Sequence, residues 1–427
     1  MRKNIFGLFI GLLITGVAPA RPENASVAPN HTTPDALVKQ ALQRNPELNF
    51  FVAEIAAAKG AVRTAGTVRN PELSTEVGYK NSRENSGGVS GDGAILALSL
   101  SQTFEYPGRI ALRKAIASHD LVLADLHLQQ FRLTLAAHVR SLAYASTSAH
   151  ERMKAVQEVV SRTQALNDVL KQRPLAGVAP QLEAQIISAN LLIFQRQERE
   201  SILAEKTIAA ELNQLCGRPA DPEVTVSAGP IVFAALSVPK LVDAARSNAF
   251  DIRIRQVELA QQGFKVALSK NERFPAVAVG PFYSLENAID REQRVGVGLS
   301  LPLPLWDRNL GNIASSKARQ QQAEASLAMA AREVERRVTQ TAAALQAKRA
   351  EIETWKTGAI AKLREASELA DRSYRLGAIP LATYVEIQKQ YLEAIGAFND
   401  AQKDALEAAQ TLEILTGQKL YREEQER

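Results

Sequence analysis

The sequence predicts a mainly α-helical protein with a small β part, and three observations support this fold class. The chain of 427 residues is 46% hydrophobic but only 5% aromatic, a composition typical of long, Ala-rich helices. It repeats itself once, in two copies of similar length. Each copy contains two short segments in which every second residue is apolar, so each copy should contribute one pair of strands.

The start of the chain predicts a secretory signal peptide. Arg2 and Lys3 precede an apolar run from Ile5 to Val17, and small residues end the segment at Ala20. A run of about 13 apolar residues is shorter than the ~20 that a membrane-spanning helix needs. We therefore expect export and cleavage after Ala20. Because Cys216 is the only cysteine, we expect neither a lipid-modified N-terminus nor an internal disulfide.

The duplication is visible when the chain is aligned with itself. LVKQALQRNPEL, which begins at Leu37, aligns with LVDAARSNAFDI, which begins at Leu241, and LNQLCG aligns with LEILTG near the ends of the copies. A proline-rich stretch without a clear period joins them. The predicted divisions are a signal peptide (1–20), an N-terminal extension (21–36), a first repeat (37–217), a linker (218–240), a second repeat (241–417) and a polar C-terminal tail (418–427).

Each repeat should begin with an Ala-rich helix of about 30 residues. This helix is expected near Pro34 to Gly66 in the first copy and near Val238 to Asn271 in the second.

Strand pairs follow these helices, within residues 72–104 and 275–303. Polar loops around Ser86 to Asp92 and around Glu286 to Glu292 should connect the strands of each pair. In the second pair, RVGVGLSLPLPLWDRN alternates bulky apolar residues with Gly, Ser and Pro. Since proline has no N–H to donate to a neighbouring strand, we expect pairing to end near Leu301.

A long helical hairpin should complete each repeat, at residues 109–216 and 309–416. The first helix of each hairpin lacks proline, and only Gly358 interrupts the second copy. A helix of about 60 residues is a rod on the order of 90 Å long, so it has to pack along other long helices. The tips of the hairpins are predicted at Arg173 to Pro180 and Arg375 to Pro380, where Gly follows one helix and Pro opens the next.

The apolar side of the strands could face either of two environments, a protein core or membrane lipid. Taken alone, the alternation fits an ordinary strand that packs on a protein core. Four strands cannot close a barrel, however, and an open sheet would keep two unpaired edges that an oligomer could close. Together with an export signal and rods too long for a compact core, this favours outer-membrane lipid on the apolar side and water on the side of the small residues. The lipid-facing set should be Leu96, Leu98, Leu100, Val295, Val297, Leu299 and Leu301.

Composition and motifs argue against nucleic-acid binding and catalysis. The net charge is +5, but basic and acidic residues are mixed along the chain, so nucleic acid is not an expected partner. We find no nucleophile elbow, phosphate loop or catalytic carboxylate pair, and expect no enzyme activity, catalytic residue or cofactor. His127 and His138 could share a helix face in a metal relay, but no i, i+4 pair completes a ligand set. We favour histidines that pack between helices or lie in solvent, and predict no metal site.

The mature chain resembles the TolC family of trimeric outer-membrane efflux channels. The resemblance rests on QRNPEL and VRNPELS around the first helix, LSLPLPLWDRNLG at the turn from strand to helix, RLGAIPLATYVEIQKQYLEA at the second tip, and the duplication. It is most similar to the CzcC- and CusC-like branch, which works with exporters of heavy metals and other cations. One departure is the absence of the N-terminal cysteine by which many relatives in that branch are lipid-anchored.

The resemblance implies a homotrimer in which four strands per chain contribute to a 12-stranded outer-membrane β-barrel, continued across the periplasm by an α-barrel tunnel. It implies two protein partners, an inner-membrane pump of the resistance-nodulation-division (RND) class and a periplasmic adaptor (membrane fusion) protein. The implied function is a passive exit duct for heavy-metal cations in a Gram-negative outer membrane. Two alternatives stay open: an efflux channel for drugs or other organic compounds, and a periplasmic coiled-coil adaptor or structural protein.

The resemblance also points to contact residues at the tips. Arg375, Leu376 and Gly377 resemble the tip by which the family docks its adaptor. In the first copy, Gly177 occupies the same place, although the residues before it differ.

The periplasmic gate is expected just beyond the second tip. In the family, acidic residues six and nine positions after the tip glycine line the closed entrance. These positions are Thr383 and Glu386 here, so this chain keeps the second acid and lacks the first, while the count in the first copy gives Glu183. We expect Glu386 to form the narrowest ring of the closed entrance.

Overall fold

The computed structural model of this protein describes residues 32–82, 91–172, 178–219, 226–288, 290–356 and 358–423. The predicted signal peptide lies outside these residues. The helices are α1 (Pro34–Arg44), α2 (Glu47–Ala65), α3 (Arg109–Gln172), α4 (Val178–Leu215), α5 (Val238–Asn248), α6 (Phe250–Asn271), α7 (Leu310–Lys356), α8 (Ala359–Arg375) and α9 (Leu381–Thr416). The strands are β1 (Glu72–Ser82), β2 (Gly91–Phe104), β3 (Ile231–Phe233), β4 (Val277–Asn287), β5 (Arg291–Ser300) and β6 (Tyr421–Glu423).

The four long strands form one antiparallel sheet in the order β1-β2-β4-β5. The pairing of β2 with β4 joins the two repeats, and β1 and β5 are the edges of this sheet in the described part of the chain. The predicted end of pairing is confirmed, because the β4–β5 ladder stops at Ser300, before Pro302 and Pro304. The short strands β3 and β6 form a separate pair.

The register places the predicted lipid-facing residues on one side of the sheet. Leu96 lies opposite Val77 of β1 and opposite Leu285 of β4, and Val295 lies opposite Tyr283. Side chains at the two edges are strongly exposed, with Val77 at 79% and Val295 at 80%. An apolar face of this extent needs a covering that the chain itself does not provide.

The other side of the sheet is small and polar, as the alternation predicts. It carries an ion pair between Lys80 and Glu286. The one large ring on this side, Phe282, lies opposite Gly296, where a Cβ atom would come within 2.7 Å of the ring. Glycine at this position therefore makes room for the aromatic side chain.

The strands extend farther into the predicted polar loops than the sequence suggests. Glu286 lies opposite Glu292 and Asn287 opposite Arg291, so the predicted loop from Glu286 to Glu292 is wrong and only residues 288–290 separate the strands. Arg294 forms an ion pair with Glu292 at 2.8 Å, and such pairing stabilises a polar strand end. Of the other predicted loop, Gly91 and Asp92 belong to β2, and residues 86–90 lie outside the described residues.

The prediction of one helix of about 30 residues at the start of each repeat is also wrong. In the first copy, Asn45 has extended φ and ψ and separates α1 from α2, since the residue before a proline disfavours the helical conformation. The Asn45 side chain caps Glu47 N at 2.8 Å and donates to Leu215 O at 3.2 Å. In the second copy, Ala249 breaks the helix, and Asn248 donates to Thr416 O at 2.8 Å. Both breaks thus lie against the end of the long hairpin.

The long hairpins have the predicted form. α3 runs unbroken for 64 residues, whereas Gly358 separates α7 from α8 with a left-handed φ of 87°. A residue with a side chain would be strained there. One detail differs from the prediction, because Pro380 is the extended residue that precedes α9 and not part of its first turn.

The buried core follows the seams between long helices. α3 packs against α2 and α6 near the sheet and against α4 and α9 farther away, and α7 packs against α6 and α9. Where the hairpins of the two copies meet, four helices share a core of Val159, Phe194, Tyr391, Leu392 and their neighbours. Among the described helices, none combines the length and the apolar character of a membrane span.

Candidate functional site

The second hairpin tip is a tight turn with an exposed apolar side chain. Ala378 N donates to Ser373 O at 2.8 Å and Gly377 N to Tyr374 O at 2.9 Å, which is the Schellman pattern of a helix end. Gly377 has a φ of 72°, and no atom lies within 4 Å of the position of its missing Cβ. Leu376 is 83% exposed. The tip therefore presents a leucine to whatever lies beyond it.

Of the other predicted contact residues, Arg375 lies within the described residues and Gly177 lies outside them. Arg375 forms an ion pair with Asp371 at 3.0 Å, one turn back on α8, and this pair holds its guanidinium along the helix. Gly177 and most of the first tip lie outside the described residues, which resume at Val178.

Thr383 and Glu386 lie together on the exposed face of α9, as their spacing of three predicts. Gln390 Nε2 donates to Glu386 Oε1 at 2.9 Å and orients that carboxylate along the helix. The opposite face of α9 is buried through Tyr384 and Gln388. Both predicted gate residues of the second copy are thus accessible in the single chain.

Glu183 lies apart from this pair and links the two hairpins. It accepts a hydrogen bond from the hydroxyl of Tyr374 on α8 at 3.4 Å. The Tyr374 ring stacks on that of Tyr384, with centroids 5.6 Å apart, and the Tyr384 hydroxyl lies 3.4 Å from Thr163 Oγ1. Burial raises the pKa of Tyr384, so this hydroxyl stays neutral. The sequence offered no signal for this contact, because its partners are 191 positions apart.

A groove of about 730 Å³ lies beside this link. Its walls are formed by α3 and by the second tip, and Glu183 and Tyr374 are among its lining residues together with Leu376 and Gly377. The predicted contact residues of the second tip and one predicted gate residue, Glu183, therefore line the same groove.

A second link between the hairpins lies farther along α3. Glu158 and Arg162 of α3 form ion pairs with Arg364 and Glu368 of α8, at distances from 3.2 to 3.6 Å. Beneath them, Ser367 Oγ donates to Gln388 Oε1 at 2.7 Å, and Gln388 Nε2 donates back to Ser367 O at 2.9 Å. These contacts tie α3, α8 and α9 together.

α9 carries a ladder of acidic residues that the sequence analysis missed, although its spacing was readable. Glu386, Glu393, Asp400 and Glu407 recur every seven residues and are exposed. A spacing of seven keeps side chains on one face of a helix packed in a coiled coil. At the matching positions, 200 residues earlier, the first copy has Ile186, Ile193, Glu200 and Thr207. The row of four acidic residues is therefore a feature of the second copy, since the first copy has one acid at these positions.

Two of the histidines, His138 and His150, pair across the first hairpin, in keeping with the expectation that histidines pack between helices. His138 Nε2 lies 3.0 Å from Glu211 Oε1, and His150 Nδ1 lies 2.8 Å from Glu205 Oε1. Within the described ranges, no group of three or more His, Cys, Asp or Glu residues is arranged to hold a metal ion.

The fold and the duplication find their counterpart in a known family. The family model described as outer membrane efflux protein matches residues 37–218 and matches again at residues 241–418. The chain belongs to this family. The resemblance noted in the sequence is thereby confirmed, and so is an outer-membrane efflux function.

Curated relatives of this efflux protein span most of its length. The cobalt-zinc-cadmium resistance protein CzcC of Cupriavidus metallidurans is 20% identical over 407 residues, which cover 94% of this chain and 93% of CzcC. The pyoverdine export outer membrane protein OpmQ of Pseudomonas putida is 22% identical over 84% of this chain and 80% of its own.

Solved structures confirm the predicted fold class. The CmeC outer membrane channel of Campylobacter jejuni superposes with a TM-score of 0.73 at 16% identity, covering 92% of this chain and 87% of CmeC. CusC superposes with a TM-score of 0.67 at 15% identity, covering 89% of this chain and 91% of CusC. The efflux protein described here thus has the architecture of these channels, with long helical hairpins and four strands per chain.

Proposed function

We propose that three copies of this chain close into one channel, which serves as the outer-membrane exit duct of a tripartite RND-type efflux system. The observation that carries the proposal is that the chain has two different open edges. β1 and α2 lie at one edge, with α4 farther from the sheet, and β5 and the part of α7 next to the sheet lie at the other. A chain with two different, complementary edges assembles head to tail into a ring.

The helical edges are suited to close contact with a neighbouring copy. Small side chains are exposed along the edge helices near the sheet, and they let two helices approach closely. They are Ala53, Ala57, Gly60 and Ala61 on α2, and Gly311, Ala314, Ser315 and Ala318 on α7. Farther from the sheet, α4 exposes Leu192 at 64% and Leu203 at 66%.

The proposed partners follow from the two ends of this ring. The apolar face of the sheet would lie in outer-membrane lipid, and the tips would reach the periplasmic adaptor and, through it, the pump. Leu376 and the groove beside it offer the adaptor an apolar contact. Export by a cleaved signal peptide without a lipid anchor is part of the same proposal. Family membership and the four-stranded sheet argue against the alternative of a periplasmic adaptor.

Heavy-metal cations are the cargo that we propose. CzcC carries cobalt-zinc-cadmium resistance in its name, and the acidic ladder of α9 would lower the energy of cations that pass along that face. OpmQ is named for pyoverdine export, so an organic cargo is the competing outcome.

Deletion of the gene in its own host tests the cargo. The deletion strain should become sensitive to cobalt, zinc or cadmium salts, and the wild-type gene should restore resistance. Unchanged metal sensitivity, together with new sensitivity to organic compounds, would replace the metal assignment by the organic one. A strain that changes toward neither class would contradict the exit-duct function.

A further inference from the structure

A cavity of about 380 Å³ lies away from the tips and from the sheet, in a groove between α4 and α9 with α3 as its floor. This volume lies in the range of about 300–1,000 Å³ that small-molecule sites occupy. Ile208, Ile231 and Leu406 give the cavity an apolar part, and charged groups of both signs line the rest. Asp400 lines the cavity and also belongs to the acidic ladder of α9, whereas the efflux function proposed above makes no use of the other residues that line it.

Two of the charged groups already have partners. Glu200 forms an ion pair with Arg196 at 2.7 Å, and Lys403 lies 3.9 Å from Glu407. Their charges are therefore largely balanced within the protein.

Three other polar groups of the cavity have bonding capacity to spare. Arg152 and Asp400 line it, and neither forms an ion pair among the described residues. The Arg152 guanidinium lies over Gly396, 3.5 Å from the position of that residue's missing Cβ, so it rests on helix backbone and not on an acid. Gln197 Oε1 is buried and accepts no hydrogen bond. A buried acceptor without a donor is unfavourable, and a bound N–H group would supply the missing hydrogen bond.

We propose that this cavity binds a short peptide with free amino and carboxyl termini. A guanidinium is the preferred partner of a carboxylate, and Arg152 supplies one. An ammonium group has three donors and no acceptor, which suits the Asp400 carboxylate and the orphan carbonyl of Gln197. The apolar part of the wall accommodates an aliphatic side chain of the peptide, against Ile231 and Leu406.

The site stays open in the ring that we propose for the channel. The leucines that mark the outer edge of α4, Leu192 and Leu203, do not line the cavity, which opens on the side of α4 that faces α3 and α9. A neighbouring copy that covers the edge would leave the cavity free. The peptide site therefore does not depend on the cargo or on the number of copies.

Two sources in the periplasm yield such peptides. Cell-wall turnover yields peptides with D-residues, and proteolysis yields peptides of L-residues only. Parallel titrations with L-Ala-D-Leu and L-Ala-L-Leu distinguish them.

Calorimetric titration of the full-length protein in lipid nanodiscs tests the proposal. At least one free dipeptide should bind, and N-acetylation or C-terminal amidation should each weaken binding about tenfold or more, as expected for loss of a charged hydrogen bond. Arg152→Gln and Asp400→Asn should have the same effect. Arg199→Gln, an exposed α4 residue outside the cavity, should bind like the wild type.

The blocked peptides keep the test decisive even if a variant fails to fold, because they are measured on the wild-type protein. The proposal is overturned if neither free dipeptide binds. It is also overturned if blocking either terminus leaves the affinity unchanged, or if both folded cavity variants bind like the wild type. Resistance to the exported cargo plays no part in these outcomes, so the peptide site and the efflux function can fail separately.

Discussion

At the scale of single residues, we expect the Glu386 side chains to form the narrowest ring of the closed periplasmic entrance. It lies on the exposed face of α9, and threefold symmetry would bring three such carboxylates together. The negative charge concentrated there should attract cations to the entrance, and a bound cation would relieve the repulsion between the carboxylates. In planar bilayers, Glu386→Ala should weaken block by polyvalent cations added from the periplasmic side by about threefold or more. Glu365→Ala, which changes an exposed acid of α8, serves as the control, and equal block in all three proteins would place the gate elsewhere.

Two substitutions at Gly377 distinguish a block of the adaptor contact from backbone strain in the turn. With a φ of 72°, Gly377→Ala and Gly377→Trp both incur a backbone cost of about 1–2 kcal/mol. Because no atom lies within 4 Å of the Cβ position, neither change produces a clash within the chain. We expect efflux to be lost in the Trp variant and kept in the Ala variant, with similar amounts of folded protein in the membrane. Full resistance with Trp would rule this contact out.

At the scale of elements, the Tyr374–Glu183 hydrogen bond holds the two hairpins together beside the entrance. It is 3.4 Å long and partly exposed, so its net contribution should be about 1 kcal/mol. Tyr374→Phe should therefore raise the basal conductance of the closed channel by about fivefold. Tyr391→Phe, a change at a buried tyrosine of α9, should not. If the two variants conduct alike, the link has no part in closure.

The helices and strands also show which features could be predicted from the sequence. Long helices and alternating strands carry strong periodic patterns, and Gly358 and Pro302 mark their ends, so these features were predictable. The break at Asn45 was readable from the proline that follows it. The break at Ala249 has no such residue, and it lies where Asn248 reaches the end of the other hairpin helix. A local pattern cannot report a contact made 168 positions away.

In the candidate site, too, relations within one helix could be predicted and contacts between hairpins could not. Positions counted along one helix, such as Thr383 and Glu386, share a face as expected. The partner of Glu183 could not be predicted, because Tyr374 belongs to the other hairpin and only the packing of four helices brings the two together. The ion pair between Glu158 and Arg364 could not be predicted for the same reason.

At the scale of the whole molecule, the hairpin turns of the sheet should lie outside the cell and the helical tips in the periplasm. A cysteine at Asp290, in the short turn between β4 and β5, should react with an impermeant maleimide on intact cells. A cysteine at Leu376, at the helical tip, should react only after the outer membrane is permeabilised. The native Cys216 is buried and should stay unlabelled. Protection of the Asp290 position on intact cells would reverse or refute this topology.

The central claim is that the two edges of the chain, β1 and β5, pair between copies to close a ring of three. Disulfide formation in membranes tests it, with Leu73→Cys on β1 combined in turn with Leu299→Cys, near the end of β5, and with Leu301→Cys, just beyond that end. Within one chain these edges are three strand spacings apart, about 14 Å, whereas a disulfide needs Cα atoms within about 7 Å. At least one double variant should therefore yield a covalent product of three chains, while each single variant stays monomeric on a denaturing gel. A product that stops at two chains, or none in either double variant, would contradict the account.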